Sequence, residues 1–301
     1  MYKNKTFWYG ISVGILGIVL FSSKAVMVKL AYQHNVDTIS ILLLRMLFSF
    51  PFYVVVAFLV KSKKHQDNVR LKDYAWLVFF GFIGYYLASY FDFVGLIYIK
   101  ASLERIILFV YPTLVLLLNK VFLKKKISKI QSIAVALTYL GIAVAFWDEL
   151  NISGKGTLTG GFFVFLSALT YASYLVGSGW LIPKFGVMKF TAYAMLVSCI
   201  CVFVHYSITS ETDLWGFSWE VYVIGFLIAI FATVIPSFLV SESIKIISSS
   251  NFAIAAGIGP ISTIILAAIF LGETLTVFQL FGTLVVIVGI LWMSVKKSNS
   301  T

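Results

Sequence analysis

The residues best placed to do chemistry in this chain are charges stranded in long apolar runs: Lys24, Lys29, Arg45, Asp92, Glu104, Arg105 and Glu242. Such a charge is costly unless it is paired, hydrated or used, so each marks a solute path, a proton relay or a pairing contact. At ~1.5 Å per residue, Lys24 and Asp92 lie about 24 and 27 Å from the inner edge of their runs. Arg45 lies about 10 Å below the outer edge, and Glu104-Arg105 about 5 Å below it. Five charges therefore share the outer third. Three are cations and two are acids, which leaves one positive charge to meet a carboxylate or phosphate on a solute. Asp92 is too short to snorkel to an interface, although the longer side chains can. Glu104 and Arg105 point about 100° apart and are expected to take different partners. Glu242 and Lys245, spaced i, i+3, read as an interfacial pair. Asp92, Glu104 or Glu242 offers a carboxyl for a coupling proton.

Hydroxyl groups form a second chemical pattern. Ser167, Tyr171, Tyr174 and Ser178 recur at i, i+4, i+7 and i+11, on one helical face. Tyr85, Ser89 and Asp92 repeat the theme. Lipid gives these groups no partner, so they should face either a neighbouring helix or a watery cavity. Other reactive side chains form no such pattern. Cys199 and Cys201 point to different faces, and His34, His65 and His205 lack metal-ligand spacing. There is no phosphate-cradling Walker sequence, so neither a metal, a cofactor nor ATP is expected.

Membrane helices are needed to position these groups. The chain has 301 residues, of which 60% are hydrophobic and only 12% charged, and its mean hydropathy is +0.99. That charge content is about half of what a soluble protein carries. Apolar runs predict ten spans, at 8–30, 38–60, 74–98, 101–121, 128–147, 157–182, 189–208, 219–243, 249–271 and 276–295. The connections are too short for a soluble domain. Asp148–Gly156 divides residues 1–147 from 157–301.

The two halves resemble each other. Residues 102–142 laid on 250–290 give nine identities in 41 positions, including Ser102/Ser250, Pro112/Pro260, Gln131/Gln279 and Gly141/Gly289. Five spans per half is an odd number, so the second half should be inverted relative to the first. Charge agrees with inversion, since Lys124-Lys125-Lys126 correspond to Gly272-Glu273-Thr274, and the basic loop 61–72 to the acidic loop 209–220. With the N-terminus inside, seventeen of the 23 lysines and arginines fall on the cytoplasmic side. The +11 net charge is then a topology signal rather than a nucleic-acid footprint. The chain is expected to be a multi-pass protein of the cell membrane, surrounded by lipid, with both termini cytoplasmic.

The run Ala256-Gly257-Ile258-Gly259-Pro260 leads into Phe270-Leu271-Gly272-Glu273-Thr274-Leu275-Thr276. The first half echoes it with Tyr111-Pro112, Phe122-Leu123 and Ser128, preceded by Leu44-Arg45. This pattern resembles an EamA-type member of the drug/metabolite transporter superfamily. One departure is Lys124-Lys125, where the motif has Gly-Glu. The resemblance implies ion-coupled or facilitated movement of small metabolites, often export of amino acids or related compounds. It also implies a cavity between two repeats, lined by spans one, three, four, six, eight and nine.

These readings together predict an all-α secondary transporter working by alternating access without ATP. Its partners are a small-molecule substrate and either a coupling proton or an exchanged solute. Lys24, Arg45, Tyr85, Ser89, Asp92, Glu104, Arg105, Ser167, Tyr171, Tyr174 and Ser178 are its candidate site, and Pro112 and Pro260 its candidate hinges. A channel-like or regulatory membrane protein is the main rival. An intramembrane enzyme would need a nucleophile–base or metal constellation, and the sequence offers none.

Overall fold

The computed structural model describes residues 2–60, 69–123, 132–133, 136–137, 139–141, 143–144, 156–210 and 212–295. Lys61, Lys63, Lys64, Lys124-Lys125-Lys126, Lys129, Gln131, Ile142 and most of the expected fifth span, 128–147, lie outside the described residues. The regular elements are all helical. Helix α1 runs over Tyr2–Tyr32 and α2 over Thr38–Leu59. Helix α3, Leu71–Gly81, passes through a π-helical stretch at Phe82–Leu87 into α4, Ala88–Tyr98. Next come α5, Ala101–Leu108, and α6, Tyr111–Leu123. The second half holds α7, Thr157–Phe185, and α8, Val187–Thr209. Helix α9, Trp219–Ala229, continues through a π-helical stretch at Ile230–Val234 into α10, Ile235–Ala255. Helices α11, Ile258–Leu271, and α12, Val277–Val295, complete it.

Among the described residues, seven helical stretches are long and apolar enough to cross a membrane, and Ile258–Leu271 is a shorter apolar helix. Burial is distributed as lipid solvent requires. Phe58, Leu59, Ile208 and Val277 are among the large apolar side chains turned outward, while Arg45, Asp92, Glu104 and Arg105 are buried. In hydrocarbon, polar groups must find partners inside the protein, and the apolar side chains can face out.

The two halves share irregularities as well as residues. Both π-helical stretches begin 148 positions apart, at Phe82 and Ile230. The break between α5 and α6, at Phe109-Val110, has its counterpart at Ala256-Gly257 between α10 and α11. Ser248, at φ 72°, interrupts α10 at the place corresponding to the α4–α5 junction at Lys100.

Pro112 and Pro260 stand at helix starts. They are the second residue of α6 and the third of α11, just past helix breaks. In a first helical turn the missing N–H costs nothing, because that donor has no intrahelical acceptor.

Glycines let the helices that carry the site approach closely. A Cβ at Gly84 would lie 2.2 Å from Tyr174 Cβ. A Cβ at Gly95 would lie 3.1 Å from the Gly160 carbonyl, so α4 and α7 pack nearly backbone to backbone.

Candidate functional site

The site is assembled from helices whose ends are fixed by side chains. Helix α2 starts on Asp37, whose Oδ2 accepts from the Ile39 and Ser40 amides at 3.1 and 3.0 Å. The end of α1 is tied to α4, with Tyr32 donating to the Phe93 carbonyl at 2.7 Å and Lys29 Nζ to that of Leu96 at 2.9 Å. On its other side α1 meets α11, where Thr263 donates to the Ser22 carbonyl at 3.3 Å and Ser22 to the Gly259 carbonyl at 3.2 Å. Lys29 is thus used on helix–helix contact. Glu242 pairs with Lys245 at 3.1 Å, both substantially exposed.

Between these helices lies a cavity of about 60 Å³. Lys24, Arg45, Tyr85, Ser89, Arg105, Ser167 and Tyr171 line it, together with Phe21, Gly84, Phe109, Tyr111, Thr233 and Gly259 among others. Helices α1, α2, α4, α5, α6, α7 and α11 contribute, as do both π-helical stretches. A volume of that size holds a few waters, not a metabolite.

Its polar wall is cationic. Arg45 is buried, donates from Nη2 to Ser89 Oγ at 2.9 Å, and lies over the Phe93 ring at 5.2 Å from its centroid. No carboxylate lies within ion-pair distance of it among the described residues, and its Nε has no hydrogen-bond partner. Lys24 Nζ is 2.6 Å from Asp92 Oδ2, which joins α1 to α4. Arg105 reaches the Phe21 carbonyl at 3.3 Å through Nη2. Its Nε is 3.7 Å from Glu104 Oε2, so these neighbours do share a contact instead of seeking separate partners. Long flexible side chains close the 100° between them. Asp92 and Glu104 are fully buried behind the cations and do not line the cavity.

The hydroxyl stripe on α7 divides. Ser167 and Tyr171 reach the cavity, with Ser167 also donating to the Ala88 carbonyl at 2.7 Å. Tyr174 is wholly buried, its hydroxyl 3.3 Å from that of Tyr85. Ser178 bonds back to the Tyr174 and Leu175 carbonyls at 2.6 and 3.2 Å, outside the cavity. Eleven residues of helix span about 16 Å, so one stripe outruns a cavity this small. Tyr111, by contrast, has a buried hydroxyl with no partner, stacks edge-on against Tyr171 at 5.3 Å and lines the cavity. Its side chain follows a helix break that residue periodicity does not mark.

A second feature was invisible as chemistry in the sequence. Glu273, in the turn before α12, caps α5 from the other half of the chain. Its carboxylate accepts from the Ala101 and Ser102 amides at 2.9 and 3.0 Å and from Ser102 Oγ at 2.7 Å. It borders a wider pocket of about 660 Å³ that includes Lys29, Tyr32, Asp37 and Lys100.

The EamA-like transporter family model matches this chain twice, at residues 8–147 and 158–295. The chain is 31% identical over 273 residues to the uncharacterized transporter YcbK of Bacillus subtilis (strain 168), covering 89% of this chain and 87% of that one. It is 24% identical to the uncharacterized transporter YyaM of the same organism, covering 80% and 79%. A solved protein crystal structure superposes with a TM-score of 0.71 over 96% of this chain and 99% of that chain, at 11% identity. That likeness speaks for the fold alone.

Proposed function

The chain belongs to the EamA-like transporter family, and from that premise we propose that it is a secondary transporter whose solute occupies the cavity around Arg45 and Arg105. The observation that supports this reading best is Arg45, a buried guanidinium facing the cavity with no carboxylate within ion-pair distance among the described residues. A buried cation with free donors suits a carboxylate or phosphate, because guanidinium and oxyanion match in charge and fork geometry. Tyr85, Tyr111 and Tyr171 would hold the apolar body of the solute. An amino acid or a related organic ion, moved outward without ATP, fits both features. Lys24, Ser89 and Ser167 complete the cavity wall, while Asp92, Glu104, Tyr174 and Ser178 support it from behind or below.

The cavity widens and opens, on this reading, by alternating access between two inverted five-helix repeats, residues 1–147 and 157–301. The twofold match of the family model and the shared π-helical stretches and breaks support that division. Pro112 and Pro260, seated beside the breaks, would serve as hinges. Both termini would face the cytoplasm of a cell-membrane protein. Reconstituted protein given a panel of amino acids and organic acids should show saturable flux of at least one of them, lost in Arg45→Ala. Ion currents of channel size without saturable flux would favour a channel instead.

A further inference from the structure

Asp92 and Glu104 are both fully buried, and their carboxyls lie within hydrogen-bonding reach of each other. Two carboxylates offer only acceptors, so the contact holds when one of them carries a proton. The two acids are served unequally. Asp92 has Lys24 Nζ at 2.6 Å. Glu104 has Arg105 Nε at 3.7 Å, an ion-pair distance too long for a hydrogen bond, and both its oxygens lack a protein donor. The charged and titratable groups facing the pair are Lys24 and Tyr32 from α1, Arg45 from α2 and Arg105 from α5. Lys24, Arg45 and Arg105 also line the cavity.

We propose that the Asp92–Glu104 pair binds one exchangeable proton, and that this proton decides whether Arg105 is available to an anionic solute. The proposal rests on the reading of the cavity as the solute path. With the proton bound, Asp92 balances Lys24 and Glu104 is neutral, so Arg105 is free to join Arg45 at the cavity wall. When the proton leaves to water, Glu104 becomes a carboxylate beside Arg105 and competes with the solute for that guanidinium. Proton and anion therefore favour each other's binding, and by linkage the effect is reciprocal. One proton per anion raises solute affinity by about tenfold for each pH unit lowered through the titrating range. Solute and proton would then move together in the same direction, so outward movement would run on the solute's own gradient and an inward proton gradient would oppose it. The second half cannot duplicate the device: the positions 148 residues after Arg45, Asp92, Glu104 and Arg105 are Tyr193, Val240, Phe252 and Ala253.

Infrared difference spectra of the purified full-length protein over a pH titration test the proton site without any solute. The wild type should show a buried protonated-carboxyl band at neutral pH that disappears on alkalinisation. Glu104→Gln, which keeps the shape of the neutral acid, should fold and lack that band. Asp92→Asn should lack it too, because the freed Lys24 would hold Glu104 ionised. Acetate, lactate, glutamate and inorganic phosphate are then added in turn as probes, and at least one should move the band's midpoint to higher pH. A wild type with no such band, or a band that survives Glu104→Gln, overturns the proposal. A band that no probe moves overturns the coupling. Saturable solute flux that is indifferent to pH and to Glu104→Gln would leave the transport reading standing while this one fell.

Discussion

Arg45 carries the heaviest assignment of any single residue. It is fixed from both sides, by Ser89 and by the Phe93 ring, so its fork is held in place before a solute arrives. Arg45→Lys keeps the charge but loses the planar fork that meets two oxygens of one carboxylate or phosphate in parallel. Solute affinity should therefore fall by about tenfold in Arg45→Lys, about 1.4 kcal/mol, and further in Arg45→Ala, as read by concentration-dependent flux. The Lys24–Asp92 pair poses a different question. Removing one partner of a buried ion pair costs about 3–5 kcal/mol, because the other charge is left uncompensated. Asp92→Ala should accordingly lose expression or transport, and adding Lys24→Ala should restore part of it. A double-mutant cycle with purely additive effects would deny that the pair matters.

Helices, not single side chains, must move if access alternates. Glu273 links the turn before α12 to the first turn of α5 through three hydrogen bonds. A carboxylate at a helix N-terminus meets both free amides and the favourable end of the helix dipole. Losing a cap costs about 0.5–2 kcal/mol, so Glu273→Ala should shift the population toward a form open on that side. Labelling of a cysteine placed at Ser89, with Cys199 and Cys201 replaced by alanine, should become faster from the outer face. Equal labelling rates would show that the clamp does not hold the cavity closed. At this scale Gly84→Val should destabilise the protein, since even its Cβ would overlap Tyr174.

These elements also show where the sequence could be read and where it could not. The helices were legible because lipid demands long apolar runs, and seven of the eleven candidate site residues reach the cavity because buried charge and hydroxyl are rare there. Helix breaks at Phe109-Val110 and Ala256-Gly257 were not legible beyond their prolines, because tertiary packing sets the π-helical stretches and turns. Ser178 lies off the cavity, and a serine bonding its own helix looks, in sequence, like one facing a cavity. Glu273 was visible as a motif residue, but only the fold reveals that it reaches a helix from the other half of the chain.

For the whole molecule, the family and the apolar helices make this chain a multi-pass membrane transporter. The charge distribution predicts that loops 61–72 and 120–129 and both termini lie in the cytoplasm, which reporter fusions or cysteine labelling can read. A C-terminus on the outside would refute the five-plus-five inverted arrangement. Flux in proteoliposomes reads whether solute moves through the Arg45–Arg105 cavity without ATP. Vesicles holding the purified protein would be given a panel of amino acids and organic acids, with and without a proton gradient. Saturable flux of an anion-bearing solute, independent of ATP and abolished by Arg45→Ala, is the expected result. Flux of such a solute that proceeds unchanged in Arg45→Ala would contradict it.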